Sequence, residues 1–97
     1  MTETPEDCVR RGAAYLDEHR PGWEKRVDLD TLDMSSPRHC VLGQAYAEEG
    51  AALGMTGFDY VVERARSRPR VASFGFDGWG ADLLEAAWSA EIIKRRR

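Results

Sequence analysis

Thr4-Pro5-Glu6-Asp7-Cys8-Val9-Arg10-Arg11-Gly12-Ala13-Ala14-Tyr15-Leu16 is the run that decides the fold class. Thr4 is a good N-cap, and Pro5 suits the first helical position because its missing N–H would have no intrahelical partner. Glu6 and Asp7 favour the positive end of the helix dipole. Apolar or small residues then recur at Cys8, Val9, Gly12, Ala13, Tyr15 and Leu16, which is helical spacing. Glu6–Arg10 and Asp7–Arg11 are expected as i,i+4 ion pairs. Pro21 disfavours helical geometry at Arg20, and Gly22 completes the stop.

The next segment, from Trp23 to Ser36, is less regular. Val27-Asp28-Leu29-Asp30 alternates briefly as a strand would, while Leu29, Leu32 and Asp33 fit a helical turn equally well. An ordered connection is expected, pinned to the core by Trp23, Leu29, Leu32 and Met34. Asp28, Asp30 and Asp33 lack the glycine and distal glutamate of a calcium loop, so they read as solvated or capping aspartates.

Ser36-Pro37 repeats the cap-then-proline signal and opens a second helix, expected to run unbroken to about Leu53. On a wheel of about 100° per residue, Val41, Leu42, Ala45, Tyr46, Ala52 and Leu53 share one broad face. Cys40, Ala47 and Ala51 fall opposite, where their small size suits close approach of another element. A helix apolar on two sides belongs in the middle of a fold, so this one is expected at the centre. A third helix starts at Thr56-Gly57-Phe58-Asp59, with Phe58, Val61, Val62 and Ala65 in register, and Pro69 closes it. A last helix from about Ala81 is expected to bury Leu83, Leu84, Ala87, Trp88 and Ile92. Between them, Arg70 to Gly80 is rich in glycine and aromatics, with room for a short strand to pair with Val27–Leu29. Gly75, Gly78 and Gly80 read as turns that position Phe76 and Trp79. The expected fold is therefore mainly α: a compact four-helix single domain over residues 1–97, with at most one short two-stranded element.

Composition bounds the function. A chain of 97 residues buries about 60–65% of the surface its unfolded form exposes, which leaves a thin stability margin. No apolar run approaches the roughly 20 residues of a membrane span, and the acidic start Met1-Thr2-Glu3-Thr4-Pro5 does not read as a signal peptide. A cytoplasmic protein is expected, with Cys8 and Cys40 as free thiols. The net charge of −3 hides an asymmetry: residues 1–50 carry 11 acidic and 6 basic side chains, residues 51–97 carry 6 and 8. Two clusters cause it, Arg64, Arg66, Arg68 and Arg70, then Lys94 to Arg97. This is mild for a nucleic-acid binder, whose domains usually run strongly basic.

Trp23, Asp28-Leu29, Leu32-Asp33-Met34, Cys40-Val41-Leu42-Gly43-Gln44, Leu53-Gly54, Gly75-Phe76-Asp77 and Trp88 together give the chain a likeness. It resembles a group of small uncharacterised proteins of actinobacteriophages and their actinobacterial hosts. The Leu-Asp-Met and Cys-Val-Leu-Gly-Gln segments are the most distinctive. The resemblance implies context, a phage accessory protein in an actinobacterial cytoplasm, and carries no catalytic or binding residue with it.

The candidate sites divide by chemistry. Cys40 at a helix start invites a nucleophile reading, yet His39 points about 100° away from it, and core packing is the simpler role. Cys8 and His19 sit on one helix, about 16 Å apart along its axis, so a zinc site built from Cys8, His19, His39 and Cys40 is not expected. Glu49 and Glu91 each fall within an apolar arc and must be neutralised, paired or turned to water; Arg95 is placed to pair with Glu91. No phosphate loop, nucleophile elbow or paired Cys-x-x-Cys is present, and no catalytic residue, metal or cofactor is expected. The leading expectation is a non-enzymatic module that binds a host protein through Phe74, Phe76 and Trp79 with neighbouring arginines. The alternative is nucleic-acid binding through Arg64, Arg66, Arg68 and Arg70, and a Cys40-dependent enzyme ranks third. Homodimerisation is an independent expectation, because a thinly stable domain gains from burying an apolar face on its twin.

Overall fold

A computed structural model of the chain describes residues 3–65, 74–76 and 80–96. It is mainly α. The described residues form helices α1 (Pro5–His19), α2 (Trp23–Arg26), α3 (Val41–Ala45), α4 (Ala47–Ala52), α5 (Gly57–Ala65) and α6 (Ala81–Arg95), and no strand. Val27–Leu29 lies in a loop, and of its expected partner segment 74–76 forms a turn; residues 70–73 and 77–79 lie outside the described residues.

α1 starts as its sequence dictates. Asp7 N–H donates to Thr4 Oγ1 at 3.2 Å and Thr4 N–H donates to Asp7 Oδ2 at 3.2 Å, so two orphan donors satisfy each other. That reciprocal cap turns Asp7 back along the chain, and the ion pairs shift accordingly. Arg10 pairs with Asp7 and Arg11 with Glu3, in place of the expected Glu6–Arg10 and Asp7–Arg11 pairs. Gly22 takes a left-handed φ of 85° and feeds α2.

α1 packs against α6, and the core lies between them. Trp88 is fully buried. Trp23 meets it edge-on at 5.6 Å, and Phe76 stacks on it at 5.3 Å and 10°. The Trp88 indole N–H donates to the Gly75 carbonyl at 2.7 Å, and the Trp23 indole N–H donates to Asp17 Oδ1 at 3.0 Å. Neither ring therefore carries an unmet donor into the interior. Gly12 makes this packing geometrically feasible. A Cβ there would stand 2.0 Å from the Phe74 carbonyl oxygen, so the bare α-carbon lets the 74–76 turn rest on α1.

The expected second helix is broken. Cys40 caps α3, with its Sγ accepting the Gly43 N–H at 3.3 Å, and the chain leaves helical geometry at Tyr46 (φ −116°, ψ 25°) before α4. In a continuous helix the Ala45 carbonyl would accept the N–H of residue 49. Here the Arg20 guanidinium Nε donates to it at 3.1 Å. A side chain 25 residues away in sequence thus satisfies the carbonyl left open at the break. Val41, Leu42, Ala45 and Tyr46 are buried as expected. Ala47 and Ala51 are exposed, so only Cys40 of the expected second face is buried; Ala52 and Leu53, expected on the first face, are exposed too, and α4 is peripheral.

The connection between α2 and α3 is ordered by polar stitching. Asp28 Oδ1 accepts the Asp30 N–H and Asp33 Oδ1 accepts the Ser35 N–H, both at 2.9 Å, which makes Asp28 and Asp33 turn-forming residues. The Gln44 amide accepts the Asp28 N–H and donates to the Asp28 and His39 carbonyls, tying the loop to α3. Trp23, Val27 and Leu32 are buried beneath it, with Leu29 and Met34 packed at the core edge. α5 opens with Thr56 Oγ1 accepting the Asp59 N–H at 3.1 Å, and buries Phe58 and Val61.

Candidate functional site

Three of these elements present aromatic and charged side chains at helical spacing. Tyr15 and His19 are four apart on α1, Tyr60 and Arg64 four apart on α5, and Tyr46 precedes Glu49 by three at the α3–α4 break. The fold brings these pairs together around a cleft of about 540 Å³, joined by Arg20, Val61, Ala65, Phe74 and Phe76.

The rings are arranged in contact. Tyr15 lies 4.3 Å from the His19 ring and stacks on Phe74 at 5.2 Å, while Tyr46 and Tyr60 face each other at 5.8 Å. Two guanidiniums sit over rings: Arg20 at 5.4 Å from Tyr46 and Arg64 at 5.3 Å from Tyr60. Arg20 is also held by Glu49 Oε2 at 2.5 Å, which cancels its charge locally. Glu49 Oε1 is buried and has no hydrogen-bond partner among the described residues. Arg64 is exposed at the cleft rim and makes no ion pair among the described residues. Burial pushes the Tyr46 phenol up to about 12; Tyr15 and Glu49 add to the effect and Arg20 opposes it.

The residues singled out from sequence have different fates. Phe76, offered as a docking residue, is 2% exposed and belongs to the core, because its ring is stacked on Trp88. Phe74, two residues earlier, is half-buried and lines the cleft. Trp79, Arg66, Arg68 and Arg70 lie outside the described residues, and Arg64 stands at the cleft rim.

Cys40 is buried, and burial raises its thiol to about 11. It would remain protonated at neutral pH. The neighbouring His39 directs Nδ1 to Ser36 Oγ at 3.2 Å. Both carboxylates on apolar arcs are paired: Glu49 with Arg20, and Glu91 with Arg95 at 2.9 Å. Arg95 reaches on to Asp17 at 2.8 Å and lies over the Trp23 ring at 5.6 Å. Among the described residues no three His, Cys, Asp or Glu side chains gather as a metal would need, and no helix is long and apolar enough to cross a membrane.

Sequence reading missed Tyr15, Tyr46, Tyr60 and Arg20 as site residues. The signal was there as ring-and-charge pairs three or four residues apart, but their convergence is a tertiary fact. Compared with protein families, curated proteins and solved structures, the chain matches none, so the reading of the cleft rests on its own geometry.

Proposed function

We propose that the protein is a non-enzymatic binding module that docks on another protein, taking an acidic segment with an aromatic or apolar side chain into the cleft. The observation that carries this reading is the lining itself: Tyr15, Tyr46, Tyr60 and Phe74 with Arg20 and Arg64 in one concavity. Tyrosine and arginine dominate the energetics of protein interfaces, because they bury large area at modest entropy cost and add directional polar contacts. A volume of about 540 Å³ is within the usual range of roughly 300–1,000 Å³ for sites that enclose a compact group. Since Glu49 neutralises Arg20, the cleft's net charge comes from Arg64, which favours an anionic partner. Combined with the phage context that the sequence resemblance implies, the reading is of an accessory protein acting on a host protein in an actinobacterial cytoplasm.

Nucleic acid is the second reading, since rings and arginine are also what stacks and neutralises single strands. Glu49 in the wall and the net charge of −3 weigh against it. The test is selection from a displayed random-peptide library on the wild-type protein, with counter-selection on Arg64→Glu. Enrichment of acidic peptides with an aromatic residue, lost on Arg64→Glu and on Tyr60→Ala, is the expected outcome. Binding of single-stranded oligonucleotides that fades steeply with salt, with no peptide enriched, would favour the second reading and contradict the first.

A further inference from the structure

α6 has two apolar faces. Leu84, Ala87, Trp88 and Ile92 point into the core, and on the other side Leu83, Ala86, Ala90 and Ile93 point to solvent. At about 100° per residue these last four fall within an arc of about 80°, roughly opposite the centre of the buried face. Leu83 is 58% and Ile93 47% exposed, two of the three large hydrophobic side chains most exposed among the described residues. Their steps of three, four and three residues are those of the a and d positions of a coiled coil. Such a seam is normally covered by another helix.

We infer that this face is covered by a second copy of the chain, with the two α6 helices packed antiparallel. The apolar seam of α6 can match its copy in either direction, and its end charges favour the antiparallel one. Centred on the level of Trp88, the antiparallel pair sets Leu83 against the partner's Ile93 and Ala86 against the partner's Ala90. The four alanines at the middle let the axes approach to about 8 Å, the close end of the usual range. Charge selects the direction. The first turn carries Asp82, the last carries Lys94 and Arg95, and Arg96 is the C-cap. Parallel packing would stack like charges at both ends, whereas antiparallel packing brings Asp82 beside the partner's Arg96 and opposes the helix dipoles. Asp82 makes no ion pair among the described residues, and Arg96 spends its donors there on the neutral carbonyls of Glu24 and Val27. Carbonyls do not neutralise a guanidinium, so the Arg96 charge can still act on the partner's Asp82 from where it is held.

A 15-residue helix is only about 22 Å long. One such seam buries less than the roughly 1,200–2,000 Å² of a standard stable interface, so the dimer is weak and concentration-dependent. The inference holds whether or not the cleft takes a peptide, because the two surfaces share no residue.

Sedimentation equilibrium of the wild-type chain from micromolar to millimolar concentration tests it. The expected result is a monomer–dimer equilibrium whose Kd rises at least about tenfold, by about 1.4 kcal/mol, in Ala90→Glu, an exposed change that leaves the core untouched. A mixture of Leu83→Cys and Ile93→Cys chains, oxidised together, should give mainly the mixed disulfide of an antiparallel pair. Three results would overturn the proposal. They are a monomer throughout the range, a dimer with unchanged Kd in Ala90→Glu, or cross-links mainly between identical positions.

Discussion

Ile92 and Ile93 are the same side chain at consecutive positions of α6, yet the first is 0% and the second 47% exposed. Leu84 and Leu83 repeat the contrast about two and a half turns earlier. Hydropathy cannot separate the members of either pair; angle on the helix does, once α1 has fixed which way Trp88 points. The inner face contributes stability through close packing against Trp23 and Phe76. The outer face, about half exposed at Leu83 and Ile93, contributes less to the monomer.

Substitution should separate the two faces most sharply. Trp88→Ala is expected to cost about 3–5 kcal/mol and Ile92→Ala about 2–5 kcal/mol, through lost burial and the cavity left behind. Ile93→Ala, measured in dilute protein, should stay within about 0.5 kcal/mol of wild type. Urea denaturation of the three variants gives the comparison directly; equal losses at residues 92 and 93 would break it. The inner face also depends on α1 coming close. Gly12→Ala should cost about 1–3 kcal/mol, because its Cβ meets a backbone oxygen and not a flexible side chain. A thermal midpoint unchanged in Gly12→Ala would mean that the 74–76 turn does not rest on α1.

Smaller effects are expected at the edges. Thr4→Ala removes the α1 cap at about 1 kcal/mol, seen as faster amide exchange in the first turn and a modest loss of stability. At Tyr46 the effect appears as a pH dependence. Its phenol, raised to about 12 by burial, stays protonated in the folded chain while an unfolded tyrosine ionises near about 10. The folded state then holds more protons, so stability tied to this group is intact below about pH 10 and declines as pH rises towards 12. Absorbance of tyrosinate against pH should show one phenol titrating late, and Tyr46→Phe should remove that step.

How much of this was legible depends on how local the cause is. The start of α1 was readable because Thr4, Pro5 and Asp7 settle it among themselves. The inner face of α6 was readable because Leu84, Ala87, Trp88 and Ile92 keep helical period, and the same reasoning wrongly included Leu83. The break at Tyr46 was not readable, since the Ala45 carbonyl it leaves open is satisfied by Arg20, 25 residues away in sequence. Ala52 and Leu53 were placed inside for the same reason: extending one helix through the break carries its buried face too far. The cleft was legible in pieces. Phe74 and Arg64 were picked out, but Phe74 and Phe76 are alike in sequence, and only the stacking on Trp88 decides which one is interior. Tyr15 and Tyr46 looked like ordinary core-facing residues of two separate helices, and Tyr60 was not singled out at all, until those helices met.

The measurement closest to the centre of this account is an NMR titration of isotopically labelled protein with the tightest acidic peptide from the displayed library. Shift changes should concentrate on Tyr15, His19, Tyr46, Tyr60 and Arg64 and vanish in Arg64→Glu, with the outer face of α6 silent. Changes centred on Leu83, Ala86, Ala90 and Ile93, with the cleft unmoved, would contradict the assignment of binding to the cleft.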